Sequence, residues 1–131
     1  MLENTADADI HWFVGLFESF GAIQIANKAG KPTLVLEFKT AYLDKLWQIC
    51  RALGYEGSPS GPRSPTGHSV RPQYILRFSG AHYAMLENLL VRLLRTGKRE
   101  LFAQRRAELN GLRDGLGLSG RKYLIDAAEH A

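Results

Sequence analysis

The chain holds a single cysteine, Cys50, among its 131 residues. No disulfide can form within it, and a reducing, intracellular compartment is the expected setting. Its four histidines, His11, His68, His82 and His130, are scattered and match no zinc-ligand spacing. Long hydrophobic runs are missing as well. The most apolar stretch, Ile10 to Phe20, is too short to span a bilayer. It carries Glu18 and has no basic leader, so it does not read as a signal peptide, and no membrane partner is expected. The run Gly57-Ser58-Pro59-Ser60-Gly61 lacks the lysine and following helix that a phosphate loop needs. Cys50 with a distant histidine could imitate a nucleophile pair. It lies on an apolar helical stripe, however, where core packing is the expected role. No internal repeat is visible.

What is present fits one globular domain spanning residues 1–131. Hydrophobic residues make up 45% and charged residues 23%, and the length suffices to bury a core without covalent staples. The net charge is +4, and nine of the seventeen basic residues fall between Arg92 and Lys122. That run suits either a polyanionic partner or a solvated helical face.

Residues 1–9 are polar and expected to be flexible, with Asp7 or Asp9 capping the helix that follows. Ile10, Phe13, Val14, Phe17 and Phe20 follow helical spacing, and Trp12 and Leu16 add apolar character to the opposite side. A helix apolar nearly all round is buried or faces a partner. Gly21 is expected to end it. Two alternating runs follow, Gly21 to Lys28 and Thr33 to Thr40, joined by Ala29-Gly30-Lys31-Pro32 as a hairpin turn. Tyr42 to Leu53 predicts an amphipathic helix with Leu43, Leu46, Trp47, Cys50 and Leu53 as its stripe. Residues 55 to 72, rich in proline, glycine and serine, predict a long loop or a strand with an irregular tip. Gln73 to Ser79 alternates again. Ala81 to Arg95 and Lys98 to Leu112 predict two further helices. A glycine-rich turn from Gly111 to Gly120 then leads into a short helix from Arg121, so 111–131 reads as a helical tail.

The segment from Trp12 to Gly21 resembles the LAGLIDADG motif of homing endonucleases, in the form that carries one motif per chain. Gly15 and Gly21 fall on the two motif glycines, Glu18 on the first acidic position and Phe20 on the second. Three further segments resemble that family in the same order. They are Tyr42 to Leu46 with Leu53-Gly54-Tyr55, Tyr74 to Gly80, and Leu93 to Arg106 with Lys98-Arg99. The resemblance covers roughly residues 10 to 110. It implies an α+β fold of the αββαββα type with C-terminal helices.

It also implies a homodimer in which two motif helices pack through Trp12, Phe13, Gly15, Leu16 and Ser19. In the family, the last motif positions deliver a carboxylate to shared Mg²⁺ sites, where the metal supports phosphodiester hydrolysis. Phe20 offers no oxygen there. Glu18 lies two residues away, about 200° around the helix, and so points elsewhere. A structural role at the helix end is assigned to it. Thr40 stands where such enzymes often carry a glutamine. Lys98 matches the family's basic residue near the active site, or is a surface lysine at a helix start. No catalytic residue, metal ligand or cofactor is therefore assigned. Glu18 and Lys98 are the candidates if the chain is active.

The resemblance places the outer sheet face along a DNA major groove. The residues expected on it are Gln24, Lys28, Thr33, Glu37, Lys39, Gln73 and Arg77, with Lys98 and Arg99 beside the backbone path. Arg63 and Arg71 of the long loop add charge. Val35, Ile75 and Glu37 are unusual on a nucleic-acid surface. The expected function is a double-stranded DNA-binding homodimer that no longer cleaves. The alternatives are an active Mg²⁺-dependent endonuclease and a protein-interaction module that has dropped DNA.

Overall fold

In the computed structural model, which describes residues 1–64 and 71–117, the chain forms four helices and four strands. They are α1 (Asp7–Phe20), β1 (Gly21–Lys28), β2 (Lys31–Thr40), α2 (Leu43–Leu53), β3 (Ser60–Arg63), β4 (Gln73–Phe78), α3 (Gly80–Leu93) and α4 (Leu101–Gly115). A 3-10 turn over Gly97–Glu100 leads into α4. The helix expected from Arg121, the end of the glycine-rich turn, His68 and His130 lie outside the described residues.

The start of the chain differs from expectation. Leu2 N–H donates to the Leu53 carbonyl at 2.8 Å, and Met1 and Leu2 pack against the core, so two apolar side chains pin residues expected to be flexible. Ala6 is the N-cap of α1 and no side chain caps it. Asp7 and Asp9 lie in the first turn instead, where their charge favours the positive end of the helix dipole. The role of Gly21 differs too. Its backbone is extended, not left-handed, and a Cβ there would lie 2.3 Å from the Phe17 ring. Close packing, not a left-handed cap, demands glycine at this point.

The hairpin turn is shorter than the sequence suggested. Ala29 and Gly30 have φ of 53° and 80°, the pattern of a two-residue type I′ turn that matches strand twist. Lys31 and Pro32 therefore belong to β2, and Lys28 pairs directly with Lys31. The sheet order is β1-β2-β4-β3, antiparallel at every pairing. Part of the proline-rich segment forms edge strand β3, with a register shift between Ser60 and Arg63.

Ile23, Leu34, Leu36, Phe38, Leu76 and Phe78 point from the sheet into one core with Phe13 and Phe17 of α1. Phe38 is the hub. Its ring lies 5.6 Å from Phe13, 6.2 Å from Phe17 and 6.4 Å from Phe78. α2 contributes Leu46, Ile49, Cys50 and Leu53, four positions of one helical face. Trp47, expected in that stripe, is a residue beyond it and 39% exposed. Cys50 is buried, and burial raises its thiol pKa above the ordinary value. α4 runs through Gly111 to Gly115, past the expected end, and adds Phe102 stacked 5.7 Å from Phe17. No helix among the described residues is long and apolar enough to cross a membrane.

Candidate nucleic-acid interface

All four helices contribute to the core on one face of the sheet, and this sets what the other face presents. Because side chains alternate along a strand, the inward positions of Ile23, Leu36, Phe38, Leu76 and Phe78 turn their neighbours outward. The ladder then aligns Gln24 with Val35, Ala26 with Thr33, and Lys28 with Lys31. Across the next pairing it aligns Glu37 with Arg77, and Lys39 with Ile75. At the β3 edge Arg63 stands opposite Gln73. Gln24, Lys28, Thr33, Glu37, Lys39, Gln73 and Arg77, expected on this face, thus share it. Lys31 joins them, because β2 begins two residues before its alternation in the sequence shows it.

Lys28 and Lys31 are both exposed and directly opposed at the hairpin end. Like charges in this position disfavour the pairing unless an anion lies between them. At the sheet centre the situation is reversed. Arg77 Nε donates to Glu37 Oε2 at 2.7 Å, with the Glu37 side chain 11% exposed and that of Arg77 46% exposed. Val35 and Ile75 are buried on this face, outside the main core cluster. Gln73 Nε2 donates to the Arg71 carbonyl at 3.1 Å, which ties its amide to the strand entry.

The end of α1 is built differently from the sheet. Phe20 is half-buried, its ring 5.2 Å from Phe38, with Lys45 Nζ 5.2 Å over the Phe20 ring. Lys98 Nζ donates to the Phe17 carbonyl at 2.7 Å and the Glu18 carbonyl at 3.1 Å, and lies 4.9 Å from the Phe17 ring centre. Cations suit the negative end of a helix. Burial lowers the Lys98 pKa below the ordinary lysine value, and the nearby Glu18 charge opposes that shift. Lys98, expected beside the DNA backbone path or near the active site, is thus engaged with the end of α1. The Thr40 hydroxyl accepts from Tyr42 N–H at 3.2 Å, a local turn bond.

A hard divalent cation needs oxygen donors. At the α1 end Phe20 puts an aromatic ring with Lys45 over it where the resemblance expects a carboxylate, and the Phe17 and Glu18 carbonyl oxygens are taken by Lys98, an arrangement that does not fit such a cation. Among the described residues, no three His, Cys, Asp or Glu side chains gather in a cluster able to hold a metal.

On the side of α1 away from the core, Gly15 and Ser19 are exposed, Trp12 is 37% exposed and Leu16 is half-buried. The Ser19 hydroxyl donates to the Gly15 carbonyl at 2.9 Å, so its polar group is satisfied within the helix. A Cβ added at Gly15 would meet nothing within 4 Å. Phe13, expected on this face, is fully buried in the subunit core against Phe38 and cannot touch a partner. Periodicity alone could not separate the two sides of a helix apolar all round. Beside the exposed side runs a groove of about 760 Å³, lined by His11, Gly15 and Glu18 and by Arg92, Arg95 and Arg99. Arg99 thus lines this groove, away from the sheet face.

A four-stranded antiparallel sheet carrying its helices on one side, in the order αββαββα, is a homing-endonuclease-like fold. An archaeal intron-encoded homing endonuclease, I-Vdi141I, solved in complex with DNA, superposes on this chain with a TM-score of 0.54. The two are 19% identical, and the match covers 86% of this chain and 74% of that one. At that identity the shared property is the fold, and it agrees with the resemblance carried by the motif residues. No protein-family profile matches the sequence, and no curated protein is significantly similar to it.

Proposed function

We propose that the chain binds double-stranded DNA as a two-fold homodimer, through the outer faces of its two sheets, and does not cleave it. The observation that carries this reading is the sheet face that no helix among the described residues covers, with its polar and cationic residues, Lys28 and Lys31 above all. The fold neighbour supports it, being a homing endonuclease complexed with DNA. The exposed stripe of Trp12, Gly15 and Ser19, with half-buried Leu16 beside it, supports the dimer, since an isologous partner would cover it. Phe20, with Lys45 over its ring, supports loss of cleavage.

The buried Glu37 and the apolar Val35 and Ile75 favour a second reading, a protein-interaction module on the same fold. A mobility-shift titration against random duplex DNA, with matched Mg²⁺ and EDTA lanes, separates the readings. Shifted, uncut DNA in both lanes is the expected result. Cutting confined to the Mg²⁺ lane would restore the endonuclease, and an absent shift would favour the interaction module.

A further inference from the structure

The Glu37–Arg77 pair is the least expected feature of the outer face, since a carboxylate repels DNA. Its placement explains it. β2 and β4 are the two central strands, so the pair sits over the middle of the sheet, not at an edge. Glu37 is too enclosed to reach a ligand, whereas about half of the Arg77 side chain is open. The bond uses Arg77 Nε and so fixes the plane of the guanidinium. It leaves both terminal nitrogens, the fork that matches two acceptors on one base edge. The pair is close to neutral together, which suits directed hydrogen bonds better than attraction to a phosphate.

We infer that Glu37 is a positioning residue that holds Arg77 to read a guanine in the major groove, through its O6 and N7 acceptors. This rests on the DNA-binding reading given above. Lys28 and Lys31, at the hairpin end, meet phosphates and carry no base preference.

The test is affinity selection of the full-length protein on a random duplex library in EDTA. Dissociation constants are then measured for the enriched site and for versions with each base pair replaced. The wild type should enrich a site with one guanine in each half whose replacement weakens binding about 5- to 150-fold. Arg77→Gln keeps a donor for Glu37 and should abolish that ratio. Glu37→Leu should reduce the same ratio with Arg77 intact, and Glu37→Gln, which keeps an acceptor, should restore most of it. A merely structural role for Glu37 would lower the melting temperature and leave the base preference unchanged. Unchanged preference in Arg77→Gln, or equal weakening on every duplex, would overturn the inference while leaving DNA binding in place. A wild type that enriches nothing overturns both.

Discussion

Replacing Gly15 by leucine separates the subunit from the dimer. Within the subunit no atom lies within 4 Å of where the new Cβ would be, and Gly15 is exposed. The helix itself should gain about 0.5–1 kcal/mol, because glycine is a poor helix former. Any loss must then come from a second copy. If two α1 helices cross closely at Gly15, the leucines collide at the axis. Overpacking of this kind costs about 1–3 kcal/mol, or roughly 5- to 150-fold in dimer Kd. Sedimentation equilibrium across nanomolar to micromolar concentration reads that change, and thermal melting of the dissociated chain reads the small gain. Gly15→Ala should keep the gain with a smaller clash. A wild type that is monomeric at micromolar concentration, or a Gly15→Leu dimer of unchanged Kd, would refute the reasoning.

Lys98→Met removes two charged hydrogen bonds to the end of α1 and should lower unfolding stability by about 2 kcal/mol, read by urea titration. An effect confined to DNA binding would return Lys98 to the nucleic-acid surface. Tyr83 is buried and its hydroxyl donates to Glu87, which Arg106 also engages. Burial first, then the Glu87 hydrogen bond, raises its pKa far above the ordinary 10.0. Its contribution is therefore complete below pH 10 and is lost as pH rises past that value, because the unfolded chain ionises first. Tyr83→Phe should show a shallower alkaline decline than the wild type in pH-resolved melting, and identical slopes would contradict the assignment. Wild-type protein with Mg²⁺ or Mn²⁺ should leave supercoiled plasmid intact, whereas site-specific linearisation would show that the α1 end tolerates a metal after all.

The fold was largely legible, since period-two and helical patterns placed seven of the eight helices and strands described and both sheet faces. β3 is not legible as a strand in the sequence, because its four residues, all exposed, carry no apolar alternation. The type I′ turn was hidden because alanine at its first position is uncommon, and with it went Lys31. Phe13 and Trp47 were misplaced where apolar residues cover more than one side of a helix, so pattern could not say which side meets the core. The Glu37–Arg77 contact spans 40 residues and is set by β2–β4 register, which sequence spacing does not reveal. Lys98 was visible as a basic residue near the family's active site. Its engagement with the end of α1 depends on how the 3-10 turn approaches that helix, a tertiary fact.

The central claim is most directly tested by duplex binding as a function of salt, with the oligomeric state confirmed in the same buffer. If Lys28, Lys31, Lys39 and Arg63 of both subunits meet phosphates, log affinity should fall against log salt with a slope of about 7. Lys28→Ala with Lys31→Ala should reduce that slope by about half and weaken all duplexes alike. A folded dimer that shifts no duplex at low salt would contradict the account and leave the sheet face to a protein partner.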